Sequence, residues 1–335
     1  MSVSYHLIAA HELDAGLLAA WRSIQEREPR FASPYFCPEF TRAAAAVRDD
    51  VRVVVIENDG RPAGFFPHQR AAWGRSSPVG GALSDYHGVI AAPQAEWSVV
   101  ELMRAAGLSV WSFDHLVDPT GRFTPYVAAS AAASPQIDLA SFAPPSDFAR
   151  KARKLAREVG ELSFSLHAPE NLGRMFVWKS EQYRRTGLTD AFGVRWTRAL
   201  LEEVMRVQRA GFAGTCSVLR AGDEVVAVHA GMRSRSVLHW WFPTYDARYA
   251  AHSPGIILLL RTAATLGSGK IDLGKGDARY KCNLMTGAAA LREGFVELPS
   301  LAAAARRLRR LAESRAEWQL PLRALRRFER ARRFN

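Results

Sequence analysis

Two β-rich segments, each broken by a short glycine-containing turn, constrain the fold of this 335-residue chain most strongly. Asn58-Asp59-Gly60 interrupts the first of them, and Ala221-Gly222-Asp223 interrupts the second. Asp and Gly between runs of β-branched and aromatic residues are typical of a β-hairpin. Segments with helical periodicity precede each hairpin, and a helix and a strand follow it. The repeated order predicts a duplicated α+β unit.

The length agrees with a duplication, because 335 residues fit two domains of about 150 residues each. Ala143-Pro144-Pro145-Ser146 interrupts the chain between the two halves. We therefore predict an N-terminal domain at residues 1–145, a C-terminal domain at 146–300 and a basic helical tail at 301–335. The predicted fold class is α/β (α+β), with each domain a mixed, mostly antiparallel sheet flanked by helices.

Composition excludes several classes of protein. The longest apolar run, Ile256–Leu260, is far shorter than the ~18 residues that cross a bilayer, and the N-terminal residues lack a signal-peptide pattern. Cys37, Cys216 and Cys282 are widely spaced, so they form neither a disulfide framework nor a Cys-x-x-Cys metal pair. We expect a cytoplasmic protein without a metal ion.

The positive charge is concentrated at the C-terminal end. The whole chain has a net charge of +12, while residues 301–335 contain eleven arginines and three glutamates. An amphipathic basic tail of this kind fits a packed helix with a solvated arginine face, or contact with an anionic membrane surface or with RNA. Contact with a membrane would place the protein at the inner face of the membrane. The remaining chain has only a modest positive charge, so its function need not involve a polyanion, and nucleic acid is not the partner we expect.

A candidate anion site follows the predicted strand that ends at Tyr245. Ser253 is a suitable N-cap and Pro254 a suitable first residue for the helix that follows. Backbone amides at a helix start attract anions, and Gly255 would allow a ligand to approach closely. The alternative is an ordinary capped core helix. The candidate cofactor-binding residues are Tyr245, His252, Ser253, Pro254, Gly255 and Ile256.

Further polar residues lie at the end of the strand that begins at Lys270. Asp272 ends this strand beside two glycines, and Asp277, Tyr280 and Lys281 follow. Ligands of α/β proteins often bind where strands end next to a helix start. The alternative is a glycine-rich turn with solvated charges.

Histidines supply candidate general bases. His229 lies within a predicted strand that should neighbour the one feeding the anion site, although a hydrogen-bonded structural histidine is the alternative. In the first half, Asp85, Tyr86 and His87 lie on a glycine-flanked loop as candidate substrate-binding residues, or as a plain turn.

Taken together, these motifs resemble the CelD/BcsL type of the GNAT acetyltransferase superfamily, also described as a BioF2-like acetyltransferase domain and related to the Fem aminoacyltransferases. The resemblance covers residues 147–285 and includes Trp178-Lys179-x-x-Gln182-Tyr183, Tyr245-Asp246 and Ser253-Pro254-Gly255. It also includes Asp272-Leu-Gly-Lys-Gly-Asp277-x-x-Tyr280-Lys281. The chain departs from the usual GNAT pyrophosphate loop, since Gly255 is the one glycine between residues 247 and 255.

The resemblance implies two tandem GNAT-like domains and an acyltransferase that uses acetyl-CoA or another acyl-CoA, with its pyrophosphate at the Ser253 turn. It implies a small-molecule or saccharide acceptor with an amine or hydroxyl group, in exopolysaccharide or cell-envelope synthesis. Direct attack on a thioester needs a base and an acid for the departing thiolate. We assign His229 or Asp272 as base and Tyr280 as acid. The acceptor would contact Asp85, Tyr86, His87, Gln182, Asp277 and Lys281.

Two alternatives stay open from the sequence. One is a Fem-like transferase that takes an aminoacyl group from tRNA, although the helical arm often found in that group has no counterpart here. The other is a non-catalytic protein with a degenerate site that binds polyanions or a membrane surface.

Overall fold

The structure, a computed structural model, describes residues 2–276 and 278–300, except for the side chains of residues 129–132. In this part of the chain the strands are β1 (Val3–Ala9), β2 (Val51–Asn58), β3 (Arg61–Ala71), β4 (Arg75–Ser77), β5 (Ile90–Ala91), β6 (Val110–Leu116), β7 (Val127–Asp138), β8 (Leu162–Ser165), β9 (Gln208–Arg209), β10 (Phe212–Ala221), β11 (Glu224–Ser234), β12 (Val237–Tyr245), β13 (Lys270–Asp272) and β14 (Gly287–Glu297). The α-helices are α1 (Ala15–Arg27), α2 (Pro38–Ala45), α3 (Val99–Ala105), α4 (Ser146–Glu158), α5 (Leu172–Arg185), α6 (Arg195–Arg206), α7 (Pro254–Leu266) and α8 (Arg279–Leu284).

Antiparallel hairpins form at both of the glycine-containing turns. Strands β2 and β3 pair from Val51 opposite Gln69 to Asn58 opposite Arg61. Strands β10 and β11 pair up to Ala221 opposite Glu224. Both hairpins confirm the local prediction, because two-residue turns with Gly accept the backbone conformations that a tight hairpin requires.

The chain divides into two units. The first contains the residues up to Ala132 and those that begin at Ala290, and the second contains Ala133–Ala289. Strand β7 precedes the predicted boundary at residues 145 and 146, and its residues 136–138 pair with β13 of the second unit. The predicted tail at 301–335 lies outside the described residues.

In the first unit the strand order is β1-β2-β3-β4-β6-β14, with β5 beside β3. Neighbouring strands are antiparallel except β4 and β6, which are parallel. Its core contains a cluster of buried aromatic side chains, in which Phe66 packs edge-on against Trp111 and Phe123 packs against Trp97. A mixed, mostly antiparallel sheet with helices around it is therefore confirmed for this unit.

The second unit has the same arrangement, with strand order β8-β10-β11-β12-β13-β7 and β9 beside β10. Here β12 and β13 form the parallel pair. The fourth and fifth strands are thus parallel in both units, and all other neighbours in this series are antiparallel. The predicted duplication of an α+β unit is confirmed.

Helices cover both faces of the second sheet. On one face, α4 and α7 bury Leu155, Ile257 and Leu258 against Ala227 and Leu238. On the other, the ring of Phe242 packs edge-on against Phe192, which also contacts Phe176 of α5. Side chains of a strand alternate between faces, so burial on both sides explains the nearly continuous apolar sequence of β11.

Candidate active site

Helix α7 begins immediately after a left-handed residue. Ser253 has φ 54° and ψ 50°, and its side chain makes no hydrogen bond that caps the helix. Pro254 has no N–H, while the amides of Ile256 and Ile257 donate to the carbonyl oxygen of Ser253 at 3.0 and 3.2 Å. Gly255 therefore supplies the remaining backbone donor of the first turn. The sequence predicts the position of this helix start correctly, but it predicts a larger set of free amides.

A lysine from a different helix adds a positive charge at this turn. Lys151 of α4 donates a hydrogen bond from Nζ to the hydroxyl of Ser253 at 2.8 Å. The ammonium group also lies 5.4 Å from the centre of the Phe148 ring. An anion at the start of α7 would thus meet an amide, a hydroxyl and an ammonium group. Lys151 could not be assigned from the sequence, because it lies 102 residues before Ser253.

Two other predicted residues flank this turn. The exposed ring of Tyr245 lies beside Gly255, where an added Cβ atom would be 3.3 Å from Tyr245 Cδ1. His252 is buried, with Nε2 at 3.3 Å from Glu158 Oε2. The structure therefore brings Tyr245, His252, Ser253, Pro254, Gly255 and Ile256 together around one end of α7, as their positions in the sequence predict.

The parallel strands β12 and β13 are paired over a short distance. Their register runs from Val237 opposite Lys270 to His239 opposite Asp272, where β13 ends. Strand β12 continues to Tyr245. Opposite β11, two β12 residues, Trp240 and Trp241, lie across from Gly231 alone, because the register shifts between Ala230 and Met232. This bulge lies at the point where the two parallel strands stop pairing.

His229 is fully buried beside this bulge. Its ring stacks on Trp240 with centroids 3.7 Å apart and an interplanar angle of 12°, and its Nδ1 is hydrogen bonded to Ser217 Oγ at 3.1 Å. Burial lowers the pKa of His229 well below its usual value, and the nearby His239 and Lys179 act in the same direction. The imidazole is therefore neutral near pH 7, as a general base must be.

Asp272 is also fully buried, but its carboxylate is occupied by hydrogen bonds. It accepts them from Ser134 Oγ at 2.7 Å, from Gln136 Nε2 at 2.7 Å and from the Gly274 amide at 2.9 Å. His239 Nδ1 lies 3.5 Å from Asp272 Oδ1. These contacts fit a carboxylate that holds the end of β13 and the following loop in place.

The two candidate bases lie on opposite faces of the sheet. His229 stacks on Trp240, which packs in the core under α4 and α7 together with Leu238. His239 follows Leu238 in the strand and is opposite Asp272 in the register, so both point to the α5 face. The structure therefore does not bring His229 and Asp272 together around one point.

Tyr280 and Lys281 lie on α8. Tyr280 packs against the core under α7, and burial raises the pKa of its phenol to about 12. Lys281 Nζ donates to the carbonyl oxygens of Gly274 and Lys275, both at 3.0 Å. Asp277, a predicted substrate-binding residue, lies outside the described residues.

A second lysine that sequence analysis did not assign lies on α5. Lys179 Nζ donates to Gln182 Oε1 and to the carbonyl oxygen of Pro243 in β12, both at 3.1 Å. Burial lowers the pKa of Lys179 to about 8, and the charge of Lys281 contributes. Lys179 and Gln182 are three residues apart, which makes their side chains neighbours on a helix. This spacing is the signal by which the contact could have been predicted from the sequence.

The predicted substrate-binding residues of the first unit, Asp85, Tyr86 and His87, lie on one loop. His87 Nε2 accepts hydrogen bonds from the amides of Asp114 and His115 at 3.2 and 3.1 Å. Asp85 Oδ1 lies 3.6 Å from His115 Nε2, and Tyr86 is buried. These contacts favour the plain structural turn, and the substrate-binding role of Asp85, Tyr86 and His87 stays a prediction.

The described residues contain neither a candidate metal site nor a candidate membrane-spanning helix. No group of three or more His, Cys, Asp or Glu side chains in residues 2–276 and 278–300 is arranged to hold a metal ion. In the same part of the chain, no helix combines the length and apolar character that crossing a membrane requires.

Comparison with protein families gives a match over the part of the chain that contains this site. Residues 146–282 match the model of the acetyltransferase (GNAT) domain. The match shows that this segment is similar to GNAT acetyltransferase domains. Among curated proteins, no sequence matches the chain. The narrower resemblance of the GNAT domain to the CelD/BcsL type stays a prediction.

Solved structures with the same fold match most of the chain. The C-terminal domain (DUF2156) of a putative lysylphosphatidylglycerol synthetase from Agrobacterium fabrum is 12% identical with a TM-score of 0.55, covering 87% of this chain and 94% of that one. A tandem GNAT protein from the clavulanic acid biosynthesis pathway is 15% identical with a TM-score of 0.53, covering 89% and 100%. FemX is 10% identical with a TM-score of 0.52, covering 88% and 96%. These likenesses agree with the tandem GNAT fold.

Proposed function

We propose that this protein is an acyltransferase that takes an acyl group from an acyl-CoA thioester and transfers it to an amine or hydroxyl group. The observation that carries this proposal is the arrangement of the GNAT domain at α7. The helix starts beside the end of β12 with the Gly255 amide, the Ser253 hydroxyl and the Lys151 ammonium group facing one turn. These donors suit the diphosphate of CoA.

We place the rest of the acyl-CoA donor in the opening between β12 and β13. The two strands stop pairing after His239 and Asp272, which leaves the backbone of β12 beyond the bulge without a β13 partner. Backbone groups at such a position are suited to an extended, amide-containing chain such as pantetheine. The thioester would then lie near the bulge at Trp240 and Trp241.

The transfer itself needs few groups from the protein. The acceptor nitrogen or oxygen attacks the thioester carbon, the carbon–sulfur bond breaks, and the thiolate takes up a proton. Tyr280 keeps its proton near pH 7, because burial raises its pKa to about 12, and is our candidate donor of that proton. His229 is neutral and is our candidate base, although its burial in the core opposes protonation. Asp272 is assigned to positioning the loop after β13.

Acetyl-CoA binding tests the donor. We expect acetyl-CoA to raise the melting temperature, since a ligand that binds the native state alone stabilises it. Lys151→Met should weaken acetyl-CoA binding about tenfold through loss of one charge-assisted contact. Lys154→Met, an exposed lysine on the same helix, is the matched control and should bind like the unmodified protein. If acetyl-CoA causes no stabilisation, the proposed donor is wrong.

Transfer from aminoacyl-tRNA is the second candidate, and one surface favours it. Arg150, Arg153, Lys154 and Arg157 form an exposed basic face on α4, and FemX shares the fold. RNA bound there should dissociate with rising salt and should bind less tightly after substitution of Arg153 and Arg157 by Gln. Acetyl-CoA binding should not change in that double variant. Binding of tRNA together with no effect of acetyl-CoA would favour this second candidate.

A further inference from the structure

Two lysines of the second unit lie at the carboxyl ends of neighbouring parallel strands. Lys179 Nζ contacts the Pro243 carbonyl near the end of β12. Lys281 Nζ contacts the carbonyls of Gly274 and Lys275, just after β13 ends at Asp272. Strands β12 and β13 are parallel, and their pairing stops at His239 and Asp272. The carbonyl groups that the two lysines contact all lie beyond this point, toward the carboxyl ends of the strands. Small ligands of α/β proteins often bind at this kind of position.

The groups that contact Lys179 are neutral. Its ammonium group donates to the Gln182 amide oxygen and the Pro243 carbonyl, and it lies 5.4 Å from the centre of the Tyr183 ring. Within the described part of the chain, no carboxylate forms an ion pair with Lys179. Lys281 is near enough for its charge to act on Lys179. An anion bound beside Lys179 would be attracted by this ammonium group, whose contacts in the described part of the chain are neutral.

Both lysine residues are partly exposed. Lys179, Gln182, Tyr183 and Lys281 are each half-buried, whereas His229 in the core is fully buried. A half-buried ammonium group binds an anion more strongly than a fully solvated one, because it has fewer water molecules to screen it.

We propose that Lys179 and Lys281 bind an anionic group of the acceptor, so that the acceptor is a small amine or alcohol that also contains a carboxylate or a phosphate. This inference rests on the proposed transfer and specifies the class of its acceptor. Lys179 then acts in binding and orientation. The donor site at Ser253 and Lys151 is a different set of residues, so the two sites can be tested separately.

Direct observation of the lysine side chains tests this proposal without any assay of activity. The chain contains six lysines, which makes NMR of ε-labelled lysine practical. The titration curve near pH 8 should belong to Lys179, and Lys179→Arg should remove it. Inorganic phosphate or acetate should raise the pKa of Lys179 by about one unit relative to sodium chloride of equal ionic strength. The Lys154 signal is the internal control.

Matched pairs of amines then identify the anionic group. Glucosamine 6-phosphate is compared with glucosamine, and glycine with glycinamide, each by its effect on the Lys179 signal. We expect the charged member of one pair to bind at least about tenfold more tightly than its neutral partner. In Lys179→Met, binding is followed at the NMR signal of Lys281. The charged and the neutral member of each pair should then bind equally tightly. A phosphate preference and a carboxylate preference distinguish the two kinds of acceptor.

Two results would contradict the proposed anion site. If no anion raises the pKa of Lys179 and neutral amines bind as tightly as charged ones, the proposal is wrong. A fall in the pKa of Lys179 on addition of anions would also contradict it. Failure of acetyl-CoA to bind, with the anion effect intact, would instead overturn the proposed donor and leave the anion site standing.

Discussion

The imidazole of His229 lies flat against the indole of Trp240, with ring centroids 3.7 Å apart. Trp240 belongs to the bulge where β12 departs from its register with β11. The stack therefore joins a buried titratable group to the irregular part of the strand that borders the proposed thioester site. Protonation of His229 would place a charge in this core, and the protein should resist it.

The first prediction concerns stability at low pH. His229 has a native pKa well below 6.5, so below about pH 6.5 the unfolded chain binds a proton that the native protein does not. Stability should therefore decrease as the pH falls from 6.5, by about 1.4 kcal/mol per pH unit for each such histidine. Urea unfolding at several pH values measures this. His229→Phe, which keeps an aromatic ring, should reduce the slope by one proton.

His68 should contribute to the same slope, since burial lowers its pKa to about 4. Its contribution should extend from about pH 6.5 to 4, and it should persist in His229→Phe. A slope that His229→Phe leaves unchanged would show that His229 is protonated in the native protein.

The second prediction concerns the close approach at Gly231. A Cβ atom there would lie 2.4 Å from the His239 carbonyl oxygen and 2.5 Å from His229 Nε2. Gly231→Ala should thus destabilise the protein by about 2–4 kcal/mol, because strand backbone and a buried ring would have to move. Gly173→Ala on α5 meets nothing within 4 Å and should be neutral or stabilising by about 0.5–1 kcal/mol. Denaturant unfolding compares the two, and equal effects would contradict this account of the bulge.

The third prediction separates positioning from catalysis at Asp272. Asp272→Asn replaces an acceptor of three hydrogen bonds by a group that also donates, so one donor among Ser134, Gln136 and Gly274 loses its partner. We expect a loss of about 2–4 kcal/mol of stability. Asp223→Asn, in the exposed hairpin turn, should change stability by less than about 0.5 kcal/mol. A fully stable Asp272→Asn that has lost acyl transfer would instead identify Asp272 as a catalytic base.

The fourth prediction concerns the three thiols. Cys37 and Cys216 are buried, and burial raises the pKa of both, to about 12 for Cys216, while Cys282 is exposed. The thiolate is the reactive form, so iodoacetamide should label the native protein once, at Cys282. Cys282→Ser should prevent labelling until the protein is unfolded, as mass spectrometry of the intact chain will show. Rapid labelling of Cys216 in the native state would contradict the buried position of β10.

Much of the local structure could be predicted from the sequence. The turns at Asp59-Gly60 and Gly222-Asp223 define hairpins, because few other conformations suit these residues between β-rich runs. Pro254 likewise marks the start of α7. Strand β14 was not predicted, since its sequence of small and charged residues lacks a clear alternation of apolar side chains.

The site depended on contacts that local sequence does not contain. Lys151 reaches Ser253 from 102 residues away, and Ser134 reaches Asp272 from 138 residues away. From the sequence, His229 and Asp272 were also alternatives for the same role, that of the general base. Which face of the sheet each occupies depends on the strand register and on the bulge opposite Gly231, and one residue of shift reverses the faces.

By itself, the sequence determined most of the helices and strands in their order, the duplicated α+β unit and the start of α7. These features follow from periodicity and from the backbone preferences of Gly and Pro. Only the tertiary structure decided which side chains share a site. Lys179 acquires its low pKa from burial on α5 and from the charge of Lys281 on α8, and both effects exist only once the chain has folded.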